Sequence, residues 1–89
     1  MISREVKIPN RLGLHARAAA RFVHKACAFH SRVRVSRDGR TMDGKSILGI
    51  LLLAASRGTM LRIETDGDDE QAAADALVTL VECGFGEGS

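Results

Sequence analysis

Gly13-Leu14-His15-Ala16-Arg17-Ala18 marks a change of period along the chain, and the fold follows from that change. Before it, Ile2 to Ile8 alternates. Ile2, Val6 and Ile8 fall on one face and Ser3, Glu5 and Lys7 on the other, the pattern of a strand with one buried side. Arg4 breaks the apolar face, which places it near an edge. Pro9 and Asn10 end the strand, and residues 9–15 form a loop in which Gly13 is available for an unusual backbone angle. After it, Ala16 to about Phe29 turns with helical spacing. Ala19, Phe22, Val23, Ala26 and Cys27 form its apolar stripe, with Arg17, Arg21 and Lys25 on the other face.

Outward from this junction the chain alternates again. Val33 and Val35 point in, Arg32, Arg34 and Ser36 point out, and Asp38-Gly39 signals a hairpin into a short strand from Arg40 to Met42. Asp43-Gly44-Lys45 turns, and Ser46 sits where an N-cap belongs, ahead of a helix from Ile47 to Ser56 that Gly58 closes. Thr59 to Thr65 is a strand with Leu61 and Ile63 inward. Asp68 and Gln71 have capping-box spacing before a last helix to about Cys83. Its core stripe is Ala72, Ala73, Ala76, Leu77, Leu80 and Val81; Gly84 stops it, and the tail from Phe85 to Ser89 frays except where Phe85 packs back. The order β-α-β-β-α-β-α predicts an α+β fold. It is an open-faced two-layer β-sandwich in which a four-stranded antiparallel sheet carries three helices on one face, built by residues 1–89 as a single domain.

Composition agrees with a small aliphatic core. The chain has 89 residues, no Trp or Tyr, three Phe, and is 45% apolar and 27% charged. Thirteen basic residues against 11 acidic ones are too balanced to imply nucleic acid. The distribution is more telling: bases dominate from Arg4 to Arg40, and acids cluster from Glu64 to Glu87. A basic half predicts an anionic partner or substrate. Cys27 and Cys83 match no metal spacing and, on apolar helix faces, are expected to be buried free thiols. With no signal-peptide core and no apolar run long enough to span a membrane, a reduced, cytoplasmic protein is expected.

The chemistry gathers at His15. A helix start offers unpaired backbone N–H groups and partial positive charge, so it holds anions before any side chain contributes. An imidazole there is a nucleophile near neutral pH, and Arg17 adds a guanidinium fork that matches phosphate. No Asp or Glu in residues 9–20 repels an anion, and no general base is close in sequence. A phosphoryl group received and handed on, with chemistry completed by a partner, fits that set. His24 and His30 have bland explanations on the helix surface and at its exit. Ser46 reads first as an N-cap; a phosphate there would add about two negative charges beside an apolar surface. Ile47, Leu48, Ile50, Leu51, Leu52 and Leu53 cover more than one stripe, which predicts a docking patch with Arg21 on its basic rim and a surface gap at Gly49.

Asn10-Arg11-Leu12-Gly13-Leu14-His15-Ala16-Arg17 together with Asp43-Gly44-Lys45-Ser46-Ile47-Leu48-Gly49 resembles the HPr family, the histidine-containing phosphocarriers of the phosphoenolpyruvate-dependent phosphotransferase system of sugar transport. The resemblance extends over nearly the whole chain. It implies that His15 is phosphorylated on Nδ1 by Enzyme I and passes the group to an EIIA-type protein, with Arg17 touching the phosphate. It further implies that Ser46 is a phosphoserine site of an HPr kinase/phosphorylase and that Ile47 and Leu48 dock partners, with Leu51 beside them on the apolar patch. A monomeric carrier without catalytic turnover, metal or cofactor is expected. An NPr-like or purely regulatory phosphorelay is the alternative. Many relatives carry proline where this chain has Ala18.

Two other classes have weaker claims. An acyl phosphatase would show a Gly-rich segment leading to Phe-Arg and an asparagine on a later strand, whereas the sole asparagine is Asn10. An RNA module would use Arg32, Arg34, Arg37 and Arg40 on an open sheet face, and such a face would need aromatics that are missing.

Overall fold

The computed structural model describes residues 1–86. β1 (Ile2–Lys7) is followed by α1 (Ala16–Cys27), β2 (Arg32–Arg37), β3 (Arg40–Asp43), α2 (Ile47–Leu52), β4 (Met60–Asp66) and α3 (Glu70–Glu82), and a 3-10 turn at Gly84–Gly86 ends the described residues. The expected order of elements is present. The sheet runs β1-β4-β2-β3 with every neighbour antiparallel. The last strand thus inserts between the first two, setting Leu61 opposite Val6 and Ile63 opposite Val35. Val6, Val33, Val35, Leu61 and Ile63 are buried, and their neighbours Glu5, Arg32, Arg34 and Arg62 are exposed, so a single sheet face meets the helices. Phe22 and Phe85 are the bulkiest buried side chains in an otherwise aliphatic core. Asp38 and Gly39 both have positive φ, 46° and 82°, as the two-residue hairpin turn requires.

Arg4 lies on an edge strand, as expected, and reaches Asp75 on α3, Nη1 to Oδ1 2.9 Å. Several other local expectations are corrected. The buried stripe of α3 is Ala73, Ala74, Leu77, Val78 and Val81, rotated from the expected one, and Ala72 is exposed. Cys27 and Cys83 are exposed rather than buried. Ala26 closes the stripe of α1, and the next residue is turned about 100° away from it. Cys83 lies just past the end of α3, where its thiol donates to the Leu80 carbonyl at 3.2 Å. α2 stops at Leu52, so Gly58 is not its C′ residue; Gly58 instead opens the turn into β4 and donates to the Ile8 carbonyl at 2.8 Å. Residues 87–89 of the tail lie outside the described residues, and Phe85 is fully buried.

The capping box also differs. Asp69, not Asp68, is the N-cap of α3, and its carboxylate turns away from its own helix. It accepts from the Ser31 hydroxyl and from the His30 and Ser31 amides, both at 2.9 Å. Glu70 reaches back to the Gly67 amide at 3.1 Å. The Ser31 hydroxyl first, and then the His30 amide, hold the Asp69 carboxyl down at about 2, against 3.8 for the free group. A carboxylate with a depressed folded pKa stabilises the fold above its unfolded pKa and loses that contribution as pH falls through the folded value. Unfolding midpoints should therefore decline between pH 3.8 and about 2 through this clasp. Asp69→Asn should be less stable at neutral pH and show a flatter dependence in that window, measured by urea titration at stepped pH.

Candidate functional site

The loop that presents His15 is built on backbone hydrogen bonds to the segment between α2 and β4. Ile8 donates to the Thr59 carbonyl at 2.9 Å, and Leu14 donates to the Ala55 carbonyl at 2.8 Å. Within the loop, the Gly13 amide donates to the Asn10 carbonyl at 3.1 Å, and the Asn10 side-chain amide returns a bond to the Gly13 carbonyl at 2.8 Å. Asn10 is 1% exposed, so this clasp is inside the protein. Gly13 has φ +64°. A Cβ there would stand 2.6 Å from the Ala55 carbonyl oxygen. Glycine is thus needed twice over, for the angle and for the close approach.

His15 is the N-cap of α1. Its backbone is extended, its carbonyl accepts from Ala19 at 2.8 Å, and its ring Nδ1 accepts from the Arg17 amide at 3.3 Å. A nitrogen that accepts carries no proton, so in the neutral ring the proton is on Nε2 and the Nδ1 lone pair points at the helix start. The ring is half-buried and Arg17 is exposed beside it in the first turn. No acidic side chain lies in that first turn. The arrangement joins a nucleophilic lone pair to oriented N–H donors and an arginine, which is what a phosphoryl group on the ring would need.

Of the other expected residues, Ile47, Leu48 and Leu52 are exposed on α2, at 46%, 67% and 53%, while Leu51 is half-buried and Ile50 and Leu53 belong to the core. Leu12, exposed at 69%, adds an apolar side chain from the His15 loop itself. Gly49 leaves no surface gap: it is buried, and a Cβ there would meet the Ser46 Oγ at 3.3 Å and the Met42 Cβ at 3.4 Å. α1 and α2 pack together, so the two helix faces are neighbours. Ser46 is the N-cap of α2, its Oγ accepting from the Gly49 amide at 3.1 Å. Arg21 is exposed on α1, and its Nη1 donates to the Phe85 carbonyl at 2.5 Å.

The arginines proposed for an RNA face are dispersed. Arg34 stands opposite Glu64 and Asp43 in the sheet register, so acids interleave with bases. Arg37 leaves that face altogether and bonds the carbonyls of Leu53 and Ala54. Sequence places Asn10 in the site motif without a role and Arg37 only on the RNA face. Arg37 had a signal, since it shares parity with Val33 and Val35 and so the inward face. Among the described residues no group of three or more His, Cys, Asp or Glu could hold a metal, and no helix is long and apolar enough to cross a membrane.

Comparison with known proteins agrees with this geometry. A family model described as the PTS HPr component phosphorylation site matches residues 2–83. The phosphocarrier protein HPr of Cupriavidus necator is 51% identical over 88 residues, 99% of each chain. An HPr crystal structure from Thermoanaerobacter tengcongensis superposes with TM-score 0.94 at 44% identity, covering 98% of both chains. Crh of Bacillus subtilis, described as a swapped dimer, gives TM-score 0.76 at 38% identity over 94% of this chain and 97% of its own. The open-faced sandwich, the helix-capping histidine and these relatives give one answer: the chain belongs to the HPr family of phosphocarrier proteins of the phosphotransferase system.

Proposed function

We propose that His15 accepts a phosphoryl group from phospho-Enzyme I and passes it to an EIIA-type protein. The observation that carries this reading is the Nδ1 lone pair held toward the start of α1 by the Arg17 amide. In the transfer, Nδ1 attacks phosphorus, the N–P bond forms, and the bond from phosphorus to the donor breaks with its electron pair left on the donor. The Nε2 proton stays on the ring. The Arg17 amide loses its acceptor and turns to a phosphoryl oxygen, joined by the Arg17 guanidinium and the other first-turn amides. The reverse attack by the acceptor's nucleophile returns the ring to its starting state. The test is incubation with Enzyme I and labelled phosphoenolpyruvate. An acid-labile, base-stable phosphoprotein supports the reading, and an unlabelled chain rejects it.

Docking is assigned to Ile47, Leu48 and Leu51 with Arg17 and Arg21 at the rim, an apolar centre bordered by positive charge. Partners with an acidic surround suit that border. All these groups come from one chain, so a monomer in the cytoplasm suffices for the cycle. Ser46 lies at the edge of the same patch and is the residue we assign to regulation by an HPr kinase/phosphorylase. Ser46→Asp keeps the N-cap, because aspartate caps as well as serine. Its added charge opposes an acidic partner, and about 1.4 kcal/mol of repulsion would raise the KM of Enzyme I for the chain roughly tenfold. Steady-state phosphorylation at varied chain concentration measures this; an unchanged KM removes Ser46 from the interface.

A further inference from the structure

We infer that Arg37, on the hairpin remote in sequence from His15, is a positioning residue for the phosphoryl transfer. The inference rests on His15 being the acceptor. Arg37 is the last residue of β2, and its Nη1 donates to the Leu53 carbonyl at 2.9 Å and the Ala54 carbonyl at 3.0 Å. Arg40, across the turn, adds a longer bond to the Leu52 carbonyl at 3.3 Å. The rest of the guanidinium is held by Asp38, Nη2 to Oδ2 2.8 Å and Nε to the same oxygen 3.2 Å. The Leu52 and Leu53 carbonyls are ones that the end of α2 leaves without helical partners, Ala54 follows the cap, and cations belong at that end.

The segment so held is one that would not hold itself. Ala54 has φ +50°, a left-handed angle that alanine disfavours. Immediately after it, the Ala55 carbonyl accepts the Leu14 amide at 2.8 Å, and Ala55 and Ser56 are the backbone against which Gly13 lies. His15 is the next residue. Arg37 therefore fixes the turn that supports the two residues before the acceptor. Without the guanidinium, the turn at Ala54 can relax, and Leu14 and the His15 ring lose the support that aims Nδ1.

This role differs from docking, and kinetics separate the two. A residue that only presents the apolar patch changes the KM of Enzyme I for the chain, as Leu48→Ala should. A residue that aims His15 changes the rate once the complex has formed, since small misplacements of reacting groups cost large factors. Arg37→Ala is expected to lower kcat for phosphorylation by Enzyme I about tenfold with KM within about twofold of wild type. In the same variant, hydrogen exchange at the Leu14 amide should rise about tenfold or more while the amides of β4 keep their protection. Arg37→Lys, which keeps a cation able to meet one of the carbonyls, should recover part of both changes. An unchanged kcat in Arg37→Ala overturns the inference. So does exchange that accelerates equally through β4, which would mean general loss of stability. If wild type itself takes no label, the acceptor assignment fails instead, which is a different result from a labelled wild type and an equally labelled Arg37→Ala.

Discussion

His15→Ala should take up phosphoryl label from Enzyme I at a rate lower by on the order of a thousandfold or more, because removing the nucleophile leaves no group in its place to form the bond. The remaining histidines do not substitute. His24 is exposed on the last turns of α1, and the backbone of His30 is held by Asp69 at the opposite end of that helix. His24 has no helix start beside it, and the start of α3 beside His30 carries the Asp69 and Glu70 carboxylates, which repel an anion. The substitution also removes a cap, so an inactive protein could in principle be an unfolded one. Loss of an N-cap costs about 1 kcal/mol, which a folded domain of this size survives. His15→Asn separates the two roles. Asparagine is among the best N-caps, so this variant should match or exceed wild-type thermal stability while remaining as inert as His15→Ala. Label in either variant, at more than a trace and chemically a phosphohistidine, would move the acceptor elsewhere in the chain.

The strands and the site stretch were legible because their signals are local. Alternation in Ile2 to Ile8, in Arg32 to Ser36 and around Leu61 and Ile63 has one buried face to serve, and the hairpin at Asp38-Gly39 leaves little freedom. Ser46 could be placed as a helix cap, and His15 at a helix start, for the same reason. What could not be read depends on tertiary partners. α3 is apolar over most of its circumference, so two overlapping stripes were possible. The choice of Ala74 and Val78 over Ala72 and Ala76 goes with the fixing of Asp75 by Arg4 and Gln71. α2 has apolar residues past its end, so hydrophobicity did not mark where it stops; the turn at Ala54 and the arginines of the hairpin do. Asp68 has the right spacing for a cap, yet Asp69 takes the position and spends its carboxylate on Ser31 and His30, a pairing across 38 residues of sequence that no local pattern encodes.

Gly13→Ala should be the most damaging single methyl group added near the site. Two costs combine. At φ +64° an L-residue pays about 1 kcal/mol for the left-handed angle. The new Cβ would also stand 2.6 Å from the Ala55 carbonyl oxygen and 2.9 Å from the Ser56 Cα, both backbone atoms that cannot rotate aside as a side chain would. Overpacking of that kind costs typically 1–3 kcal/mol, so a total near 3 kcal/mol is expected. For a domain of this size that corresponds to a fall in Tm of roughly 15 °C. Gly39→Ala is the matched comparison: it has φ +82° but nothing within 4 Å of its Cβ, so it bears the angle alone and should lose only about 1 kcal/mol. The relief available to Gly13→Ala is to lift residues 13 and 14 off Ala55, which breaks the Leu14 bond and carries the His15 ring with it. The folded fraction should then be phosphorylated roughly ten to a hundred times more slowly, a loss that Gly39→Ala does not share. Equal melting temperatures for the two variants would mean that the close approach to Ala55 is not what requires glycine. Equal transfer rates would mean that the support beneath Leu14 does not aim the acceptor.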